Sequence, residues 1–443
     1  MAGVSARRLA SSARRLVHRD IARDTAWALA LQLLTIVVSL LSFTLLGRRL
    51  GPEFVGTYAG IYAMLGPLIG LSYGCKLLYL QITKDDQRDL AVVAGRCIGL
   101  LLVAGVVLVG VVLAIAPFVV EGVALWTIAA LAAMELLGHV VGGVVAAYVW
   151  TMDGFVASAR IEMTQAVSRV IPVVALAAVD RLTLGTLAIA SFAVTAAWLA
   201  VLFPWVDRRY GATLRPRRPS FALARSSATF SVGITATGLQ NDADKGFMNA
   251  NNHVLDTGYY SAAYRIVQMG FLPVTALIGS SHRRFLEPDG GVLGAHRRRA
   301  MRFALPVVAY STVVAAALWL VAPAVPLLLG DAFEPSVTML RWLVLFLPLR
   351  ASWGIAINAL LGLDRPGLRT LVLVVSAMLS LSLYAILIPE HSWAGAVVAT
   401  VVSELTLAVL CWTLVVVAQR RRDRDLRRHP GQIDDRAVEE AVT

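Results

Sequence analysis

Apolar runs long enough to cross a lipid bilayer recur along the whole chain. A helix needs roughly 20 consecutive apolar residues to cross a hydrocarbon core about 30 Å thick. Short polar segments separate twelve such runs, at about residues 27–47, 54–80, 91–118, 123–150, 157–178, 183–206, 227–250, 257–281, 301–328, 336–362, 367–388 and 393–418. The runs are continuously apolar and lack the alternation of barrel strands. We therefore expect an all-α integral membrane protein with about 12 transmembrane helices.

Composition agrees with this expectation and limits the function classes. The chain has 443 residues, of which 58% are hydrophobic and 15% charged, and this apolar surface is too large for a soluble core. Every loop falls short of the ~50 residues of a separate soluble domain, so we expect a protein that is not an enzyme. The three cysteines, Cys75, Cys97 and Cys411, have neither disulfide nor zinc spacing, and we expect no metal or cofactor.

The net charge of +12 is most simply read as a topology signal. Clustered arginine is also typical of nucleic-acid binding, but position favours another interpretation. With the N-terminus inside, most basic residues fall in cytoplasmic segments, whereas the outer loops contain only Arg48, Arg49 and Arg181. This bias predicts a multi-pass protein of the cytoplasmic (inner) membrane with both termini in the cytoplasm, and no nucleic-acid partner.

An internal repeat indicates two like halves. The run GTYAGIY at residues 56–62 reappears as GYYSAAY at residues 258–264, about half the chain away. Six helices per half predict parallel bundles with pseudo-two-fold symmetry along the membrane normal. The expected domains are a basic amphipathic cytoplasmic segment (1–26), a six-helix bundle (27–206), a basic cytoplasmic linker (207–226), a second six-helix bundle (227–418) and a charged cytoplasmic tail (419–443). The first segment either lies on anionic membrane lipids or is a disordered tail that only sets topology.

Two stretches resemble a known family. Residues 45–65, LLGRRLGPEFVGTYAGIYAML, and the pair Asp244-Lys245 followed by GYYSAAYR at 258–265 are similar to the polysaccharide biosynthesis flippases. These are the lipid-linked oligosaccharide branch of the multidrug/oligosaccharidyl-lipid/polysaccharide (MOP) exporter superfamily. The resemblance implies flipping or export of a polyprenyl-diphosphate-linked glycan, a cell-envelope polysaccharide precursor, by alternating access, with glycan-assembly enzymes of the pathway as partners. Lys245 stands where the family more often has arginine.

Charged residues inside predicted spans are costly and therefore candidates for function. The candidates for a substrate cavity in the second half are Asp242, Asp244, Lys245, Tyr264 and Arg265. Arg265 has the neutral counterpart Ala63 in the first repeat, and we interpret it as a ligand for the substrate diphosphate. The alternative is a structural salt bridge to Asp242 or Asp244. Asp242 and Asp244 also spell the DxD of metal-dependent glycosyltransferases, but carboxylates two residues apart on a helix point to different faces.

Polar groups in other spans form a second set of candidates, either for ion coupling or as structural networks. Glu135 and His139 lie one helical turn apart, and Arg169 returns to about the same depth on the next helix. A Glu135–Arg169 ion pair is one interpretation, and proton coupling through His139 is the other, because histidine titrates near neutral pH. Arg350 and Glu404 are a comparable pair in the second half.

Lys76 completes the candidates for the substrate cavity. It either receives a phosphate from the cytoplasmic side or extends to the interface as lysines near helix ends do. The charges of Asp242, Asp244, Lys245 and Arg265 sum to zero and Lys76 adds one positive charge, which favours an anionic substrate. A cation-coupled multidrug extrusion transporter, for which we expect an acidic cavity, is the alternative. An integral membrane glycosyltransferase or polymerase would need a large extramembrane segment, so it is the less favoured class.

Overall fold

The chain is almost entirely helical where it is described. The computed structural model describes residues 2–82, 89–286, 295–362 and 366–428. Within them lie thirteen α-helices: α1 Ala2–Ile82, α2 Leu90–Val119, α3 Leu125–Ala133, α4 Val140–Asp153, α5 Phe155–Ala178, α6 Leu184–Tyr210, α7 Phe221–Ala250, α8 Val254–Leu286, α9 Ala295–Val321, α10 Val325–Leu329, α11 Pro335–Leu343, α12 Phe346–Gly362 and α13 Pro366–Arg428. A π-helical turn, Met134–His139, joins α3 to α4. Of the charged tail, the residues up to Arg428 are described, as the end of α13.

The helices account for the predicted number of membrane crossings. In the described residues, nine segments are long and apolar enough to span a bilayer. Two of them, Ala26–Ile82 and Gly367–Arg424, are 57 and 58 residues long, which is long enough for two crossings each. Each bends at a residue with positive φ, Gly51 (φ 78°) or Ser392 (φ 49°). Dividing both segments there and adding the more polar α7 gives twelve spans, so the prediction of an all-α multi-pass membrane protein is confirmed.

Prolines interrupt two helices that the apolar pattern predicts as continuous. The segment expected at 336–362 is two helices, because α11 ends at Leu343 and α12 begins at Phe346. Pro348 has no N–H to donate to the carbonyl of Val344, four residues earlier. The N–H of Leu347 donates to that carbonyl instead, over 3.2 Å. The segment expected at 301–328 is likewise broken, after α9, at the short 3₁₀ turn Ala322–Ala324.

The chain divides into two compact units. Unit 1 contains residues 1–50 and 68–234, and unit 2 contains residues 51–67 and 235–443. The domain boundaries expected from the sequence stay a prediction, as does the orientation of the termini.

The core of unit 1 lies where the second half of α1 meets α2, α4, α5 and α6. It includes the fully buried residues Tyr79, Cys97, Val145 and Val149. The basic linker also packs here: the N–H of Arg217 donates to the carbonyl of Gly95 over 2.9 Å. A side chain at the nearby Gly99 would place its Cβ 1.9 Å from the carbonyl oxygen of Arg217, so glycine is required for this contact.

The core of unit 2 is centred on α12, which packs against α8, α9 and α13. The two copies of the repeated motif also meet in this unit. A Cβ on Gly56 would lie 1.9 Å from the carbonyl oxygen of Val254, and a Cβ on Gly258 would lie 1.9 Å from that of Pro52. The glycines of the repeated motif are therefore the contact points at which two helical backbones pack directly on each other.

Candidate functional site

A polar cavity of about 400 Å³ lies inside unit 1. Residues of α1, of the π-helical turn, of α4 and of α5 line it. Its polar lining consists of Thr35, Ser72, Tyr73, Lys76, Glu135, His139, Glu162, Gln165 and Arg169. We refer to it as the unit 1 cavity. Charged groups at membrane depth are costly unless they line such a space or bind one another, and in this cavity they do both.

Lys76 forms the first of two ion pairs in the unit 1 cavity. Its Nζ lies 2.6 Å from Oε1 of Glu162 and donates to the hydroxyl of Tyr73 over 3.3 Å. The ammonium also lies 5.1 Å from the centre of the Tyr73 ring. Lys76 is therefore bound within the cavity lining, and its role as a phosphate ligand stays a prediction.

Glu135 is the centre of the second ion pair. Its Oε2 lies 2.8 Å from Nη2 of Arg169 and 3.0 Å from Nδ1 of His139. The Glu135 side chain is 1% exposed, whereas that of Arg169 is 44% exposed. One carboxylate oxygen thus contacts a strong cation and an imidazole, while nearly half of the Arg169 side chain stays exposed.

The surroundings of His139 define how it bonds. Nδ1 faces the ionised carboxylate of Glu135, which accepts but does not donate, so Nδ1 carries a proton when that carboxylate is ionised. Nε2 lies 3.3 Å from the hydroxyl of Thr195, which is able to donate to it. The carbonyl of His139 accepts from Nε2 of Gln165 over 3.1 Å. His139 is the last residue of the π-helical turn, and such turns occur frequently at functional sites.

A second buried network lies in unit 2, around Lys245. The ammonium lies 3.1 Å from Oδ1 of Asp244 and 3.3 Å from Oδ1 of Asp242. It also makes a cation–π contact with Tyr264, 4.0 Å from the centre of the ring. Asp244 also accepts from the hydroxyl of Tyr260 over 2.6 Å. Both carboxylates of the DxD triplet therefore contact the ammonium of Lys245.

Asn241 connects this network to the other ion pair of unit 2. Its Oδ1 accepts from Nη2 of Arg350 over 2.9 Å and from the hydroxyl of Tyr264 over 3.3 Å. Arg350 in turn donates to Glu404 through two nitrogens, and Nε1 of Trp353 donates to the other oxygen of Glu404. Residues of α7, α8, α12 and α13 thus share one continuous hydrogen-bond network, here called the unit 2 network.

Arg265 lies at the margin of the unit 2 network. It is half-buried, and its charge interacts with the carboxylate of Asp242. Its role as a ligand for the substrate diphosphate stays a prediction.

The structure sorts the residues predicted from the sequence into two groups. Unit 1 brings together Lys76, Glu135, His139 and Arg169 around its cavity, and unit 2 brings together Asp242, Asp244, Lys245, Tyr264, Arg350 and Glu404 in one network. Glu162 lies on the same polar stripe of α5 as Arg169, at i and i+7 in the sequence. The sequence candidates do not include Asn241, because an amide carries no charge to mark it.

Comparison with known proteins defines the fold class. No protein-family model matches the chain, and no curated protein does. Solved structures do match: the chain has the fold of the transporters of the MOP superfamily. The resemblance seen in the sequence is thereby confirmed in its fold.

Three of these structures show how far the likeness extends. An inward-facing multidrug resistance transporter of the MATE family matches with a TM-score of 0.65 and 15% identity, over 89% of this chain and 95% of that chain. The lipid II flippase MurJ, in an inward closed conformation, matches with a TM-score of 0.65 and 9% identity, over 90% of each chain. A MOP superfamily transporter from Pyrococcus furiosus matches with a TM-score of 0.58 and 14% identity, over 89% of this chain and 94% of that chain.

Proposed function

We propose that this protein flips or exports a polyprenyl-diphosphate-linked oligosaccharide across the cytoplasmic membrane by alternating access. The observation that carries the proposal is the charge arrangement in the unit 1 cavity. Glu135 and Glu162, the two carboxylates among the described lining residues, already bind Arg169 and Lys76. An organic cation entering the cavity must therefore compete with a resident cation for each carboxylate. By contrast, a diphosphate that enters the cavity reaches Arg169, a cation whose side chain is 44% exposed.

The geometry suits exchange of one anion for another. An ammonium has three donors and a guanidinium has five, so either cation is able to bind a carboxylate oxygen and a phosphate oxygen at the same time. Hydrogen bonds from such cations to phosphate are among the strongest that a protein makes. In the proposed binding sequence, the substrate diphosphate binds Arg169 first and then replaces Glu162 as the partner of Lys76.

The proteins with similar folds support the view that cavity charge selects the substrate. MurJ is named a lipid II flippase, whereas the MATE structures are those of multidrug transporters. The Pyrococcus furiosus structure is described as having a binding pocket of reverse polarity that suggests a different function. One fold thus carries different substrates, and the paired carboxylates of the unit 1 cavity favour the anionic one.

The cavity also supports a proposal for energy coupling. Oε2 of Glu135 lies near both Arg169 and His139, so a proton arriving through His139 neutralises the carboxylate. Neutral Glu135 attracts Arg169 less strongly, and the guanidinium then binds the substrate diphosphate more readily. In this scheme protonation favours substrate binding, and because coupling between two sites is reciprocal, substrate binding favours protonation equally.

The decisive experiment compares two substrates in one set of vesicles. The purified protein is reconstituted into liposomes, and transport is measured for a polyprenyl diphosphate carrying a labelled sugar and for ethidium as an organic cation. We expect flipping of the labelled lipid, reduced at least about tenfold in Arg169→Gln, because a hydrogen bond to a charged group contributes about 1.5–3 kcal/mol. Arg169→Lys should keep part of the activity.

Two comparisons make the result interpretable. Arg49→Gln removes the guanidinium of an ion pair with Asp180 whose side chains are 54% and 76% exposed, and it should flip the lipid at the wild-type rate. Size-exclusion profiles identify variants that do not fold. Wild-type activity in a folded Arg169→Gln variant would contradict the proposed role of the cavity. Transport of ethidium without flipping of the diphosphate would instead establish multidrug extrusion.

A further inference from the structure

A second cavity in unit 1 is an open groove on another face of α5. It has a volume of about 550 Å³ and lies between α5 and α6. Its wall is apolar along most of its length, where Ala157, Ile161, Trp198, Val201, Leu202 and Trp205 line it. Val201 is 71% exposed and Trp205 is 44% exposed. The polar residues of α5 that line the unit 1 cavity are different ones, so the groove is a separate feature.

One end of the groove is positively charged. α5 begins at Phe155 and α6 ends at Tyr210, so Arg160 and Arg209 lie at the same end. Asp153, the acid at this end, lies 3.5 Å from Nη2 of Arg209 and accepts from the hydroxyl of Tyr210 over 2.8 Å.

Arg160 is held differently from Arg209. Its guanidinium lies 5.0 Å from the centre of the Trp27 ring, and among the described residues it forms no ion pair. This end of the groove therefore presents two cations and one carboxylate, which leaves an excess of positive charge beside the apolar wall.

This combination matches the chemistry of a membrane lipid. Tryptophan and tyrosine are enriched where the bilayer meets water, and Trp205 and Tyr210 line the groove in the last turns of α6. Basic pockets between transmembrane helices on the cytoplasmic side are suited to anionic lipid headgroups. The distribution of basic residues predicts that this end of the groove faces the cytoplasm.

We propose that the groove between α5 and α6 binds one anionic phospholipid of the cytoplasmic leaflet. The headgroup phosphate lies between Arg160 and Arg209, and an acyl chain follows the apolar wall past Trp205 and Trp198. A zwitterionic lipid of the same chain length fills the wall equally well but gains less from the two arginines. This proposal is independent of the substrate that the protein transports.

The test measures lipid binding directly. Native mass spectrometry of the detergent-purified protein is performed during titration with phosphatidylglycerol or with phosphatidylcholine carrying the same acyl chains. We expect tighter binding of phosphatidylglycerol in the wild type. The double variant Arg160→Gln/Arg209→Gln should weaken phosphatidylglycerol binding roughly thirtyfold, or about fivefold per arginine, and leave phosphatidylcholine binding unchanged.

Further arms of the experiment exclude other occupants. Arg49→Gln is the matched control and should bind both lipids as the wild type does, and Arg160→Lys/Arg209→Lys should retain most of the preference. Equal affinity of the wild type for the two lipids would overturn the proposal. So would an unchanged preference in a folded Gln/Gln variant. The proposal would also be overturned if a polyprenyl diphosphate displaced phosphatidylglycerol and the Gln/Gln variant no longer flipped substrate in phosphatidylcholine vesicles. Those two results together would assign the groove to the transported substrate.

Discussion

The ion pair between Arg350 and Glu404 offers the sharpest test of how unit 2 is stabilised. The side chain of Arg350 is 13% exposed and that of Glu404 is 0% exposed. Glu404 also accepts from Nε1 of Trp353 over 2.5 Å. Substitution Arg350→Leu removes the cation and leaves a carboxylate buried with a single neutral donor. Burial of an unpaired charge is among the largest penalties that one substitution imposes.

The size of the effect follows from this burial. Removing one partner of a buried pair typically destabilises a protein by about 3–5 kcal/mol. Replacing both partners with apolar residues is often nearly neutral, because the desolvation cost of both charges disappears together. We therefore expect Arg350→Leu to lower the free energy of unfolding by about 3–5 kcal/mol, and Arg350→Leu/Glu404→Leu to recover most of that loss.

The free energy of unfolding can be measured by SDS titration in mixed micelles, with tryptophan fluorescence as the signal. The matched control is Arg49→Leu, which breaks an ion pair with Asp180 in which both side chains are more than half exposed. Exposed pairs contribute about 0–1 kcal/mol. The reasoning would be refuted if Arg350→Leu were no more destabilising than Arg49→Leu, or if the double variant were no more stable than the single one. A stable double variant that no longer flips substrate would show that the pair also has a functional role.

Two further predictions concern coupling and packing. Glu135→Gln mimics a permanently protonated carboxylate, so the variant should still bind the anion, but its flipping rate should no longer respond to an imposed pH gradient. Glu53 is exposed, and the control variant Glu53→Gln should keep the response. An unchanged response in Glu135→Gln would exclude coupling through this residue. Gly258→Ala places a Cβ 1.9 Å from the backbone oxygen of Pro52 and should destabilise by about 1–3 kcal/mol. Gly279→Ala in the same helix meets no atom within 4 Å and should be at least as stable as the wild type, because alanine favours a helix more than glycine does. Equal stability of the two alanine variants would contradict close backbone packing at Gly258.

The sequence predicts the membrane fold and most of the charged residues of the two sites, because both follow from the free-energy cost of placing polar groups in lipid. Apolar runs and intramembrane charges are visible without any knowledge of tertiary structure, since lipid tolerates neither a short span nor an unpaired ion. The cost of a charge inside a span is enough to mark Lys245, Asp244, Arg350 and Glu404 as candidate site residues. It does not reveal that these residues share one network, because the connection runs through Asn241, an uncharged side chain at a position that no periodicity distinguishes.

Backbone irregularities are the other feature that the pattern does not predict. The π-helical turn containing Glu135 and His139 has the composition of an ordinary apolar helix, so the two residues were placed by ideal α-helical spacing. Prolines are equally ambiguous. Pro273 lies inside the continuous helix α8, whereas a 3₁₀ turn around Pro323 follows α9. Whether neighbouring groups satisfy the freed carbonyl decides between a kink and a break, and the apolar pattern of the sequence does not specify those groups.

The way the chain is shared between its compact units bears on its synthesis. Residues 51–67 precede most of unit 1 in the sequence but belong to unit 2, and residues 227–234 of α7 follow the linker but belong to unit 1. A nascent chain that has emerged only as far as the linker therefore lacks part of unit 1 and holds a segment whose packing partners are still untranslated. Domains ordinarily fold as units from the N-terminus during synthesis. Here unit 1 is complete only once residue 234 has been made, and residues 51–67 wait for residues 235–443 before they can pack. A truncation at the linker therefore leaves unit 1 without its last segment and residues 51–67 without their packing partners.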